Sequence, residues 1–231
     1  MSDIIIIIMF ERFKKTYHWL LRLVHPLPLI GGLHISDQLL RYVVIFRNRP
    51  LVTSVRLAPG VFEDGALRDR DALLVALRHL RDAIHGKDGS AQVIVTLETS
   101  RVYTQLLTLP ALAPQEISSA LDLNLRASSP FPIESAYYAA ESVGVSKSGS
   151  PEFLAAYIDR GLIDAVSGVL SNAGFVVVAI EFAGLSMART CAELGGIDPQ
   201  EAVLILGVMN DGMDLLIVRD KHLYFHDWSP W

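Results

Sequence analysis

Between Gly32 and Phe46 two apolar runs bracket a short polar break: GLHI, then Ser36, Asp37 and Gln38, then LLRYVVIF. Apolar alternation on both sides of a three-residue polar turn predicts two strands joined as a hairpin. Asn48, Arg49 and Pro50 mark the next turn, and LVTSVRL at 51–57 supplies a third strand, so the chain opens on an antiparallel meander. The period then changes. Asp69 can cap a helix in which Leu73, Leu74, Leu77, Leu80 and Ile84 form one apolar stripe, and Gly86 and Gly89 stop it. QVIVTLE at 92–98 and RVYTQLLTLP at 101–110 read as strands from their β-branched content. Pro114, Gln115 and Glu116 open a second helix with Ile117, Leu121 and Leu125 on one face, and Pro130 lies beyond its end. SPFPIE is an extended turn, Tyr137 to Val145 a strand, KSGSP a loose turn, EFLAAYI a strand, and 160–172 a helix ending at Gly174. FVVVAIEF is a strand, 184–194 a helix broken by Gly195 and Gly196, and 203–228 three short strands with turns at Asn210 to Gly212 and at Asp220 and Lys221. Meander, helix, then meander again suggests two related halves, the second barely begun.

Ahead of the hairpin the pattern is different. Ile4 to Ile8 is an isoleucine run extended by Met9 and Phe10, far short of the ~20 apolar residues a membrane-spanning helix needs. Phe10, Phe13, Tyr17, Leu20, Leu21 and Val24 then recur at three- and four-residue spacing, with Trp19 near the middle and Arg12, Lys14, Lys15, His18 and Arg22 mostly elsewhere. A basic amphipathic helix of this kind fits a membrane interface, and it equally fits packing on its own domain or a sister subunit. The apolar run precedes the charges and no small-residue cleavage site follows, which argues against a signal peptide. Pro26, Pro28, Gly31 and Gly32 read as a linker.

Composition narrows the function classes. With 231 residues, 51% of them hydrophobic, and a mean hydropathy of +0.36, the chain can bury a sizeable core. A formal net charge of -5 gives no support to a nucleic-acid ligand, whose affinity rests on clustered Lys and Arg. The single Cys191 excludes an intramolecular disulfide and a zinc ribbon, and fits a reducing cytoplasm. His222 and His226, four apart beside Asp227, suggest a metal pair only weakly, because edge-hairpin histidines usually face solvent. No metal site is expected. Ser186 lacks the second glycine of a nucleophile elbow, and Cys191 inside a helix reads as a small core residue.

The strand, phosphate-sized turn and strand at 32–46 resembles the opening of actin-like ATPases. In that fold the turn's N–H groups cup a phosphate and an Asp on the first strand holds the metal. Further along, GALRDRDALLVALRHL, VIVTLETSRVYTQLLTLPALAPQEI and SPFPIESAYY resemble the PilM family of type IV pilus inner-membrane platforms and its GspL-like counterpart in type II secretion, over roughly residues 30–228. The resemblance implies an α/β, actin-like (ribonuclease H-like) fold with a truncated second half and an inserted α/β subdomain. Its expected parts are an amphipathic extension at 1–28, a first subdomain at 29–65 and 150–196, the insertion at 66–149, and the start of a second subdomain at 197–231.

Departures from the family pattern point away from catalysis. PilM-like sequences open with Asp-x-Gly and small hydroxylated residues, whereas those positions hold His34, Ser36, Asp37 and Gln38 here. In the second phosphate turn only Gly207 is retained. Nothing obvious would hold Mg²⁺, and Asp37 beside a triphosphate would add repulsion. The expectation is therefore a non-catalytic scaffold without a cofactor, at the cytoplasmic face of the bacterial inner membrane. The resemblance implies as partners the cytoplasmic tail of a PilN-like or GspM-like membrane protein and the assembly ATPase. A homodimer or a peripheral membrane contact through Phe10, Phe13, Tyr17, Trp19 and Leu20 is also expected. Arg41 and Phe131 are the candidate partner-binding side chains, although His34 and Phe131 also suit a core role. The rival reading is an ATP- and Mg²⁺-binding ATPase; a hydrolase on the same frame has no nucleophile and base to support it.

Overall fold

The computed structural model describes residues 29–63, 65–85, 91–193, 201–208 and 212–231. The amphipathic extension with Phe10, Phe13, Tyr17, Trp19 and Leu20, and the glycines at 86, 89, 195 and 196, lie outside the described residues. The described residues divide into two compact units, one formed by 29–63, 67–85, 91–96 and 167–180, the other by 65–66, 97–166, 181–193, 201–208 and 212–231.

The first unit is built on a five-stranded sheet. Strands β1 (Ile30–Ile35), β2 (Leu39–Phe46) and β3 (Arg49–Arg56) form the expected antiparallel meander, with Leu33 opposite Tyr42 and Tyr42 opposite Thr53. After the short strands β4 (Phe62–Glu63) and β5 (Ala66–Leu67) comes helix α1 (Arg70–His85), whose first turn is held by Asp69, its Oδ1 accepting the Ala72 N–H at 2.8 Å. Strand β6 (Ala91–Leu97) joins β1, and β10 (Phe175–Phe182) joins β6, giving the order β10-β6-β1-β2-β3. Helix α1 packs on β2 and β3. Alternation decides which face it covers: Leu33, Ile35, Leu40 and Tyr42 are buried, as are Leu73, Leu77 and Leu80 at helical spacing. Gly31 is required by close packing, since a methyl built there would overlap the ring of Tyr42, itself 2% exposed. The β2–β3 turn has both central residues, Arg47 and Asn48, at positive φ (49° and 61°), as a two-residue hairpin turn demands.

The second unit contains β7 (Tyr103–Thr108), helix α2 (Pro114–Ser128), β8 (Ala136–Val145), β9 (Pro151–Asp159), helix α3 (Arg160–Asn172, whose last turns belong to the first unit), helix α4 (Ala183–Glu193), and β11 (Val203–Val208), β12 (Gly212–Arg219) and β13 (His222–Pro230). Pro114 opens α2, and the Glu116 carboxylate accepts the Ala113 N–H at 3.1 Å. One three-stranded sheet runs β7-β9-β8 and another β11-β12-β13. The first of these has a core on each face. Leu107, Leu125, Ala155 and Tyr157 pack on the α2 side, where the Tyr157 hydroxyl donates to the Leu125 carbonyl at 3.0 Å. Val143 and Leu154 pack on the other side with Phe182, Ala188, Leu216, Val218 and Leu223.

These boundaries differ from the expected ones. Helix α1 and β6 belong to the first unit, not to an insertion at 66–149, because β6 hydrogen-bonds beside β1. Strand β9, expected at the start of the returning first subdomain, pairs with β7 and β8 instead.

Candidate functional site

His34 stands opposite Arg41 in the β1–β2 register, on the sheet face away from Leu33 and Tyr42. Ser36 closes the turn between the strands. Its N–H donates to the Leu39 carbonyl at 3.0 Å, and its hydroxyl oxygen lies 3.0 Å from the Leu39 N–H, which donates to it, and 3.1 Å from the Leu39 carbonyl. The Gln38 carbonyl accepts the Leu57 N–H at 2.9 Å, tying the turn to the end of β3. A turn that cups phosphate presents backbone N–H groups outward. Here those of Ser36 and Leu39 are spent on the turn itself.

Electrostatics point the same way. Burial first, and then the neighbouring Arg41 guanidinium, lower the His34 pKa below its ordinary value, so the ring is neutral at pH 7. At these two positions a neutral imidazole and an exposed arginine offer no anionic oxygen of the kind Mg²⁺ prefers; the carboxylate of the hairpin is that of Asp37. The shift also makes a pH prediction. The unfolded ring titrates near 6.5 and the folded ring lower, so the unfolded chain binds more protons between these values and stability falls as pH drops through that window. Denaturant midpoints followed from neutral down to about pH 5 are expected to fall further for the parent than for His34→Gln. Parallel curves would contradict the shift.

His34, Ser36, Asp37, Gln38 and Arg41 thus share one hairpin in the first unit. Gly207 lies on β11 of the second unit, opposite Asp214, and has its own reason to be glycine: a Cβ there would sit 3.3 Å from the Asp214 Cβ and 3.5 Å from the Met187 Cε. Phe131 is half-buried against the cluster of Leu107, Leu125, Ala155 and Tyr157, so its ring serves the core under α2.

His222 and His226 do not share a face. A bulge in the β12–β13 pairing lets Leu223 oppose Val218 while Phe225 opposes Ile217, and the extra residue, Tyr224, reverses the alternation. His222 Nδ1 lies 2.9 Å from Glu141 Oε1. His226 is buried, not solvent-facing, with Thr104 Oγ1 3.4 Å from its Nδ1, Asp214 Oδ1 3.6 Å from its Nε2, and the Phe182 ring tilted against it. Among the described residues no group of three His, Cys, Asp or Glu is placed to hold a metal. Ser186 donates to Glu181 Oε1 at 2.5 Å, and Arg189 pairs with the same carboxylate.

The sequence reading missed the buried carboxylate Glu152, which accepts Arg219 Nη2 and the Tyr224 hydroxyl, each at 3.1 Å. Its position within the apolar alternation of EFLAAYI was the available signal. It also missed how far the β2–β3 tip stands in solvent.

No family model matches the chain, and no curated protein matches it. Solved structures do. A chain of the PilM–PilN type IV pilus biogenesis complex superposes with a TM-score of 0.70 at 20% identity, covering 87% of this chain and 61% of that one. The cytoplasmic domain of EpsL, an inner-membrane component of the type II secretion system of Vibrio cholerae, gives a TM-score of 0.59 at 14% identity, covering 87% of this chain and 71% of that one. The chain therefore spans about three-fifths of the length of the PilM–PilN chain it matches. The resemblance carried by GLHISDQLLRYVVI and the later motifs holds at the level of structure: this chain has the actin-like fold, in the form shared with PilM-type and EpsL-type proteins.

Proposed function

We propose that the chain is a non-catalytic adaptor of a type IV pilus or type II secretion platform, working at the cytoplasmic face of the bacterial inner membrane. Its task is to hold the cytoplasmic tail of a PilN-like or GspM-like membrane protein, or the assembly ATPase of the same machine. The observation that carries the reading is the closure of the first strand turn by the Ser36 hydroxyl, beside a neutral His34 and the charge of Arg41. The likeness to the PilM–PilN complex and to EpsL supplies the choice of machine. Strand β3 ends its sheet, so an extended tail can add to its edge through main-chain hydrogen bonds, with Arg41 on the adjoining strand available to an acidic side chain.

Calorimetric titration tests the proposal with two ligands, ATP with Mg²⁺ and a peptide spanning the cytoplasmic tail of the PilN-like protein. The expected result is heat from the peptide, none from nucleotide, and weaker peptide binding after Arg41→Glu. Nucleotide binding at micromolar affinity, about -8 kcal/mol, would put the ATPase reading first.

A further inference from the structure

We infer that the β2–β3 hairpin tip is a contact site for an anionic membrane surface. The inference rests on this surface alone and stands apart from the adaptor reading. At the tip, Ile45 is 66% exposed, Val52 59%, Leu51 53% and Phe46 43%, and these four residues flank Arg47 and Arg49, both exposed. The register places Val52 opposite Val43, on the face of Ile45, and Leu51 opposite Val44, on the face of Phe46. The ribbon is thus apolar on both faces at its end. A flat protein partner covers one face of such a ribbon; a fluid headgroup layer that the tip enters covers both.

Charge selects the kind of surface. The tip carries two arginines, Arg47 and Arg49, and the whole ribbon 39–56 has no Asp or Glu, within a chain whose formal net charge is -5; Arg41 and Arg56 lie at the other end of the ribbon. The Arg47 guanidinium lies 5.1 Å from the centroid of the Phe46 ring, so cation and aromatic ring are presented together. Arg47 also sits at φ 49°, where glycine would be more comfortable, so the turn geometry does not call for arginine. A second copy docked through the same tip about a two-fold axis would bring like charges together, which disfavours a homodimer here. Strand β1 begins beside this end of the hairpin, since Gly32 stands opposite Val43.

The test is co-sedimentation of the full chain with vesicles of phosphatidylcholine alone and of phosphatidylcholine containing phosphatidylglycerol. The parent is expected to bind only the anionic vesicles. The variant Arg47→Gly with Arg49→Thr should bind them about thirtyfold more weakly, and Ile45→Thr with Leu51→Thr should also bind them more weakly. Arg47→Gly alone should melt no lower than the parent, which separates lost binding from lost fold. Equal binding to neutral vesicles overturns the inference, as does undiminished anionic binding in both double variants, since residues 1–28 would then suffice. A parent that binds neither vesicle, or a parent dimer that the tip variants dissociate, overturns it too.

Discussion

Truncating Leu77 to alanine is expected to remove about 3 kcal/mol of stability, within the range for large-to-small changes in a packed core. Leu77 is fully buried at the centre of the α1 stripe, between Leu73 and Leu80, which are fully buried as well. The helix packs on β2 and β3, so the cavity would open against these two strands, the first of which begins at Leu39, the residue that closes the Ser36 turn. Neighbours that are buried on all sides have little room to collapse into the gap, which places the cost above the bare transfer value of three carbons. Urea denaturation measures it. A loss under about 1 kcal/mol would mean that α1 is held much more loosely than its burial indicates.

Glu152→Ala is expected to cost a similar amount, about 3 kcal/mol, for a different reason. The carboxylate is 5% exposed and accepts both the Arg219 guanidinium and the Tyr224 hydroxyl, while Arg219 also lies over the Tyr224 ring at 3.8 Å from its centroid. Alanine would take the buried acceptor from a half-buried cation and a hydroxyl, leaving Arg219 only the exposed Asp220 carboxylate, 3.6 Å from its Nε, and losing a buried partner costs more than the intact pair contributes. Glu152→Gln keeps an acceptor and loses only the charge, so it should cost about 1 kcal/mol. Equal losses for the two variants would show that the charge of Glu152 alone, and not the packing of its side chain, holds this corner of the second unit together, since glutamine keeps the packing.

Much of the fold was legible because its periods are clean. The α1 stripe, the Asp69 cap, the opening of α2 at Pro114 and the strand-turn-strand at 32–46 all follow from local rules that the structure obeys. Partner choice between strands was not legible. QVIVTLE and EFLAAYI are both apolar enough to be central strands, and nothing local says that the first joins β1 while the second lies between β7 and β8. The apparent histidine pair failed for a related reason: one bulge at Tyr224 reverses the alternation on which the four-residue spacing relied. At the first turn the residue types were readable, but the closure of the Ser36 hydroxyl onto Leu39 depends on a rotamer that no pattern encodes. Phe131 looked like a docking residue because its proline-rich setting reads as surface, yet the ring is partly taken up by the core beneath α2.

The interleaving of the two units along the chain bears on how the protein is made. Strand β10, the last to join the five-stranded sheet, begins at Phe175, after the whole stretch 97–166 that belongs to the other unit. During synthesis from the N-terminus, β1, β2, β3, α1 and β6 leave the ribosome first and wait without their final strand, with one side of β6 open to other chains. Neither unit can be obtained by cutting the gene at a single place, and a nascent chain halted before residue 175 carries an unfinished sheet that a chaperone would have reason to hold.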